Sequence, residues 1–350
     1  MPEKVLVAGN NVRNVAESAK KAGYKVFALT KFADSDLKIY CEKVYRIFEE
    51  DERELKSRIE FLAESLNAKV VLCSGFETLD VNAEILGSNP KECEKVTDKL
   101  KFYKILEKAG IPHPELLKGD KGVKAILKPR WGGGGEEIEF YRGLEKDNFI
   151  VQRFIEGIPC SVSLLVSREP YPVACNLILA GWKEMNASGF RYCGNITPLN
   201  VDEETRKKLE EAAVETVSLF DLRGSVGVDF ILADKPYVLE INPRFQGSLD
   251  SIEWSYDVNL FKLHVVACNE GKVGFTKPKR FAGRAILFTN REIYIKRDLS
   301  GNPFFADVPN VGDRYCADDP LISILSSGRS LKKVKEKIIE RKNIGQSLLS

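Results

Sequence analysis

The segment from Gly227 to Arg244 gathers side chains able to hold a cation and an anion side by side. It reads Gly-Val-Asp-Phe-Ile-Leu-Ala-Asp-Lys-Pro-Tyr-Val-Leu-Glu-Ile-Asn-Pro-Arg. Alternating apolar residues flank a turn at Asp234 and Lys235, which predicts a β-hairpin. Centred on that turn, Asp229 falls opposite Glu240. Residues two apart on a strand share a face, so Glu240 and Asn242 point the same way. Two carboxylates directly across a ladder repel, so the pair predicts a cation above it. Oxygen ligands on a rigid platform suit a hard divalent ion such as magnesium, which takes carboxylates together with substrate phosphates; manganese is the alternative. Arg244, just past the strand end, is placed to clamp an anion beside that ion. The plainer alternative is a pair of solvated sheet charges.

A second anion element lies upstream. The strand Val123 to Lys128 ends at Pro129 and leads into Arg-Trp-Gly-Gly-Gly-Gly at 130–135, then a short strand from Glu137. Four consecutive glycines are costly to order. They are tolerated where backbone must approach a ligand closely, because bare amides can cradle phosphate oxygens. A mobile hairpin tip is the alternative, and the lysine that ends the preceding strand favours the anion site.

Composition narrows the rest. The chain has 350 residues and a formal net charge of +2. That is long enough for two or three domains, and too evenly charged for a nucleic-acid binder driven by phosphate contacts. No apolar run approaches a membrane span, and the N-terminal apolar run is too short for a signal peptide. None of the eight cysteines forms a C-x-x-C pair, which predicts reduced, structural cysteines in a cytoplasmic protein rather than disulfides or a zinc site. Only two histidines occur. His113 lies between prolines and His264 in a helical run, where packing is its expected role, so histidine catalysis is disfavoured. Abundant Lys and Glu with scarce Met hint at a heat-adapted source.

These groups need elements to position them. The chain opens strand–helix–strand, a parallel crossover pattern, continued by a helix from about Glu52 to Leu66 and a strand from Lys69. The first turn lacks G-x-G-x-x-G, so the dinucleotide fingerprint is absent. A helix capped by Thr97 or Asp98 runs to Gly110, and Pro112-His-Pro114 makes a stiff linker. Strands follow at Phe149, Ser161 and Pro172, then a helix from Glu203 to Leu219, the hairpin, and a helix from about Val258. The fold class is α/β. The expected regions are 1–95, 96–275 with a flexible lobe at about 115–157, and a β-rich tail 276–350 closed by a helix from near Ser330. The mixed polar and aromatic stretch Trp182 to Gly194 is a candidate substrate-lining loop.

Three stretches together resemble the ATP-grasp superfamily: Lys128 to Gly135, Val151 to Gly157, and Asp229 through Glu240-Ile-Asn-Pro-Arg-Phe-Gln246. The first and the Asn-Pro-Arg end are similar to biotin carboxylase and carbamoyl-phosphate synthetase domains, and the overall size resembles short carboxylate–amine ligases. The resemblance implies a Rossmann-like domain before a two-lobed ATP-grasp domain. It implies ATP as nucleotide, with Lys99 and Lys128 on its phosphates and Gly132, Gly133, Gly134 and Gly135 closing over them. Gln152, Arg153, Phe154 and Ile155 match the hinge whose backbone pairs with adenine. Asp229, Glu240 and Asn242 match the magnesium ligands, and Arg244 the residue that steadies the transferred phosphate.

Two departures stand out. After the hinge the sequence is Gly157-Ile-Pro-Cys-Ser161 where a ribose-binding carboxylate is usual, with Glu156 as a substitute. Ser248 stands where biotin carboxylase has a glutamate, and Arg284 is out of register with that enzyme's second arginine. The implied activity is an ATP-dependent ligase that activates a carboxylate as an acyl-phosphate for an amine. Its partners are small-molecule substrates, without nucleic acid or membrane, and a homodimer is compatible. Activation of bicarbonate, or an ATP-binding sensor without chemistry, are the alternatives.

Overall fold

The computed structural model describes residues 2–48, 51–118, 122–144 and 146–349, the last three without their side chains. It is mixed α/β, built on four sheets. The first has four parallel strands in the order Lys43–Arg46, Lys25–Thr30, Lys4–Gly9, Lys69–Leu72. Val5, Leu6, Val7 and Ala8 are all fully buried, as expected of a parallel strand covered on both faces. Val5 and Val7 pack with Val15 and Ala19 of the helix Arg13–Lys21, whereas Leu6 and Ala8 pack with Ile59 and Leu62 of the helix Glu52–Leu66.

The helix Lys99–Ala109 begins at Asp98, whose carboxylate accepts from Leu100 N–H at 3.1 Å, and stops at Gly110 with φ +73°. That is a side-chain N-cap and a left-handed C-terminal stop. Of the two candidate caps, Asp98 is the one used. Phe102, Tyr103 and Leu106 are fully buried against the central sheet.

The central sheet has eight antiparallel strands, in the order Pro236–Asn242, Gly224–Leu232, Ile158–Val166, Pro170–Ala180, Tyr192–Thr197, Phe281–Phe288, Pro320–Gly328, Phe305–Ala306. Strands from the last seventy-odd residues therefore extend the same sheet that carries the hairpin. The closing helix Leu331–Leu349 seals that end with Val334 and Ile338, both fully buried.

A separate four-stranded sheet, Leu116–Leu117, Phe149–Arg153, Ala125–Pro129 and Glu139–Phe140, forms a small lobe round Leu117, Ala125, Leu127 and Val151. It carries the glycine run. All eight cysteines are free. His264 is buried, accepting from Ser225 N–H at 2.8 Å and facing the Leu86 carbonyl, the packing role the sequence predicts. No described helix is long and apolar enough to cross a membrane.

Candidate active site

The hairpin forms, but the expected register holds only beyond a bulge: nearer the turn Leu232 faces Pro236 and Phe230 faces Val238, one residue off a turn centred between Asp234 and Lys235. Asp229 faces Glu240 and Gly227 faces Asn242, and a bulge follows Asp229. Such bulges re-aim side chains beside functional sites. Asp229 is held well above the ordinary carboxylate range, first by burial and then by the Glu240 charge. Asn242 Nδ2 donates to Asp229 Oδ2 at 3.2 Å, while its Oδ1 accepts from Arg244 at 3.0 Å. Two carboxylates meet here with the Asn242 amide, whose nitrogen faces Asp229 and whose oxygen faces Arg244, and among the described residues no group of three or more His, Cys, Asp or Glu side chains could hold a metal. The floor's opposed Asp229 and Glu240 carboxylates are donors that fit magnesium, which commonly uses one or two carboxylates and lets substrate phosphates complete its shell. Asn242 would first have to release Arg244 to offer its oxygen.

Arg244 lies against this floor. Its Nε donates to Glu77 Oε1 at 3.1 Å and another nitrogen to the Phe245 carbonyl at 3.1 Å. Burial opposes its charge, but Glu77, Glu240 and Asp229 outweigh that and raise its pKa.

Two lysines face the floor from above. Lys99, the first residue of its helix, is buried, with its ammonium bonded to the Gly132 carbonyl and 3.8 Å from Glu240 Oε2. Lys128 is buried too, and donates to the Tyr103 hydroxyl at 2.7 Å. Burial lowers both pKa values, that of Lys128 to about 8, while Glu240 counteracts. Burial disfavours both ammonium charges, which their neutral oxygen partners and Glu240 offset only in part, so an anion beside them would favour the charged forms.

The glycine run bends back over the same floor. A β-carbon on Gly133 would come within 3.9 Å of Glu240 Oε1, and Tyr192 N–H donates to the Gly134 carbonyl at 2.8 Å. Gly132, Gly134 and Gly135 have positive φ, where side chains are disfavoured. Arg130, just before the run, makes two bonds to Asp98 at 2.7 and 2.6 Å, tying the lobe to the helix that presents Lys99. The Trp182 to Gly194 stretch reaches the site through Phe190 and Tyr192, which touch the glycine run.

The structure thus brings Lys99, Lys128, Gly132, Gly133, Asn242 and Arg244 together round Glu240 and Asp229. The hinge is less open than expected. Gln152 is buried and donates to the Pro114 carbonyl at 2.9 Å. The N–H groups of Arg153 and Phe154 are bonded to the Glu115 and Lys124 carbonyls, so adenine pairing at those two residues would use their carbonyl oxygens. Arg284, out of register by sequence spacing, arrives beside the segment after Arg244, its NH1 3.5 Å from the Gly247 carbonyl. It is already paired with Asp307 at 2.5 Å and Ser323 at 3.0 Å. Glu77 and Tyr103 were not anticipated. Glu77 had one usable signal, its place just past the carboxyl end of a parallel strand, where α/β sheets present ligand-facing groups; nothing in the local sequence distinguishes Tyr103.

Residues 96–248 match the ATP-grasp domain family. The chain is 27% identical to an uncharacterized protein of Methanocaldococcus jannaschii, over 96% of this chain and 91% of that one. It is 34% identical to tyramine–L-glutamate ligase of Methanocaldococcus fervens over 35% of this chain and 38% of that enzyme. The biotin carboxylase domain of Hydrogenobacter thermophilus 2-oxoglutarate carboxylase, solved as a dimer with MgADP, ADP and bicarbonate, superposes with a TM-score of 0.76 at 15% identity, covering 97% of this chain and 89% of that one.

Proposed function

Taking the chain as an ATP-grasp ligase, built round its ATP-grasp domain of residues 96–248, we propose that it joins a small-molecule carboxylate to an amine with ATP as energy source. The observation that carries this reading is the convergence of Lys99 and Lys128 with the Asp229–Glu240 pair beneath the four-glycine run. A carboxylate is a poor acylating agent, and phosphorylation supplies a leaving group. The substrate carboxylate oxygen bonds to the γ-phosphorus as the bond to the β–γ bridging oxygen breaks and ADP departs. The amine then attacks the acyl carbon, phosphate leaves, and the amine loses a proton.

Such transfers depend on positioning and charge neutralisation more than on a protein nucleophile. In this reading Lys99 and Lys128 hold phosphate oxygens, amides of Gly132 to Gly135 exclude water and cradle them, and Arg244 steadies the transferred phosphoryl group. Magnesium, when bound at Asp229, Glu240 and Asn242, supplies further neutralisation. The carbon–nitrogen reading is supported by the match to a ligase that the name describes as joining tyramine to glutamate. Bicarbonate activation has less support, because Ser248 is buried and lies 3.2 Å from the Ser163 hydroxyl, two neutral groups where a carboxylate base would be needed. We assign residues 1–95, 96–275 and 276–350 as the three functional regions.

The test is ADP release with pooled carboxylates and amines, followed by mass detection of the adduct. ADP and an amide product are expected. AMP and pyrophosphate would overturn the mechanism, and ADP release that needs bicarbonate but no amine would replace it with carboxylation.

A further inference from the structure

The Glu77–Arg244 contact joins residues 167 positions apart. Glu77 follows the strand Lys69–Leu72 in two successive turns, Phe76 N–H to the Cys73 carbonyl at 2.9 Å and Leu79 N–H to the Phe76 carbonyl at 3.0 Å. Phe76 and Leu79 are buried on either side, so the backbone under Glu77 is fixed. Its carboxylate and the guanidinium are both shielded, at 14% and 16% exposure. A shielded charge-assisted bond is stronger than a surface pair, and losing one partner strands the other.

The contact aims Arg244 as well as binding it. A guanidinium has five N–H groups, and three are used: on Glu77, on the Phe245 carbonyl and on Asn242 Oδ1. The last two acceptors are neutral and belong to the arginine's own segment. Glu77 is the charged, distant anchor. Its other oxygen is buried without a hydrogen-bond partner among the described residues. The series continues inward from Arg244 to Asn242 and on to Asp229 Oδ2.

We infer that Glu77 is a positioning residue for Arg244, turning its two remaining N–H groups toward the phosphoryl group transferred above the Asp229–Glu240 floor. This rests on the ligase reading for the identity of that group. It makes the N-terminal region part of the phosphate site.

The experiment measures dissociation constants of the full chain, with magnesium, for β,γ-imido-ATP and for ADP. Wild type is expected to prefer the triphosphate, because Arg244 meets the third phosphate. Arg244→Gln removes the preference. Glu77→Gln lowers it by about tenfold, the effect of one charge-assisted bond, with ADP affinity held within about twofold. The double variant shows no loss beyond Arg244→Gln. Glu77→Asp, which keeps the charge but shortens the reach, falls between and serves if Glu77→Gln does not fold. A strut that only joined two regions would not change the ratio between the two nucleotides. Equal wild-type affinities, an unchanged ratio in Glu77→Gln and Glu77→Asp, or additive losses in the double variant would overturn the assignment. If the ratios behave as expected while no substrate pool releases ADP, the ligase reading falls and the role of Glu77 stands.

Discussion

The Gly135 backbone lies so close to the carbonyl oxygen of Phe190 that a β-carbon at Gly135 would overlap it. One residue earlier, the Gly134 carbonyl accepts from Tyr192 N–H at 2.8 Å. Phe190 also meets Phe140 and Phe154 of the small lobe edge-on, with ring centroids 5.3 and 6.2 Å apart. The glycine run is therefore seated on the 190–192 segment, and the seat has no room for a side chain at 135.

The neighbouring glycines should differ accordingly. Gly135→Ala must push the run off its seat, so ADP-release kinetics are expected to show kcat/KM for ATP reduced by about tenfold to a hundredfold. Gly134→Ala meets nothing within 4 Å and faces only the positive-φ cost, about 1 kcal/mol, so its effect should be several times smaller. Equal effects at both positions would mean that the seat on Phe190 does not matter for turnover.

Asp229 and Glu240 make a prediction about protons. Burial and the Glu240 charge raise the Asp229 pKa, which favours its protonated form until a cation arrives. Magnesium with nucleotide should therefore release a proton, and the calorimetric binding enthalpy should change with the ionisation enthalpy of the buffer. Below the range in which Lys128 titrates, binding should strengthen as pH rises. Glu240→Gln removes half of the opposed pair and should cut turnover on the order of a hundredfold or more with the fold intact by circular dichroism. Full activity in Glu240→Gln would remove the metal assignment.

The hairpin was legible because period-two alternation and a turn signal are local rules; its register was less so, since Leu232 pairs with Pro236 across residues 233–235 and a bulge after Asp229 is what sets Asp229 opposite Glu240. The helix Lys99–Ala109 was legible because its cap and its stop are residue-specific. Contacts between distant segments carry no such signal. Arg284 reaches Gly247 because its strand pairs with Tyr192–Thr197 in the central sheet, and spacing along the chain does not encode that neighbour. Glu77 meets Arg244 only once the N-terminal region packs, through the helix Arg13–Lys21, on the helices that follow the hairpin. Whether the hinge N–H groups are free depends on pairing with residues 115 and 124, which a strand's own sequence does not reveal.

Lys128 should set an upper pH limit on nucleotide binding. Burial lowers its pKa to about 8, and a phosphate beside it favours the charged form. ATP affinity is thus expected to fall as pH rises through about 8, with proton uptake on binding. Lys128→Met should bind ATP more weakly throughout and lose that pH dependence, as measured by titration from pH 7 to 9.5. Tyr103→Phe removes the hydroxyl that accepts from Lys128, and is expected to weaken binding by a smaller factor, about fivefold.

Glu253 links the helix Leu249–Tyr256 to the N-terminal region, accepting from the Ser18 hydroxyl at 2.5 Å and Leu260 N–H at 2.7 Å. Burial raises its pKa from 4.5 to about 7, and raises that of Asp36 from 3.8 to about 6. Between the ordinary and raised values the folded state binds more protons than the unfolded one, so both groups make stability fall as pH rises. His264 acts in the opposite sense from about 4 to 6.5, since burial lowers its pKa to about 4. The contribution of Glu253 is therefore best read as a difference. Glu253→Gln keeps an acceptor oxygen but cannot ionise, so its thermal midpoint relative to wild type should rise steadily from pH 5 to pH 7.5. A difference that stays constant across that range would show that Glu253 titrates as an ordinary exposed carboxylate.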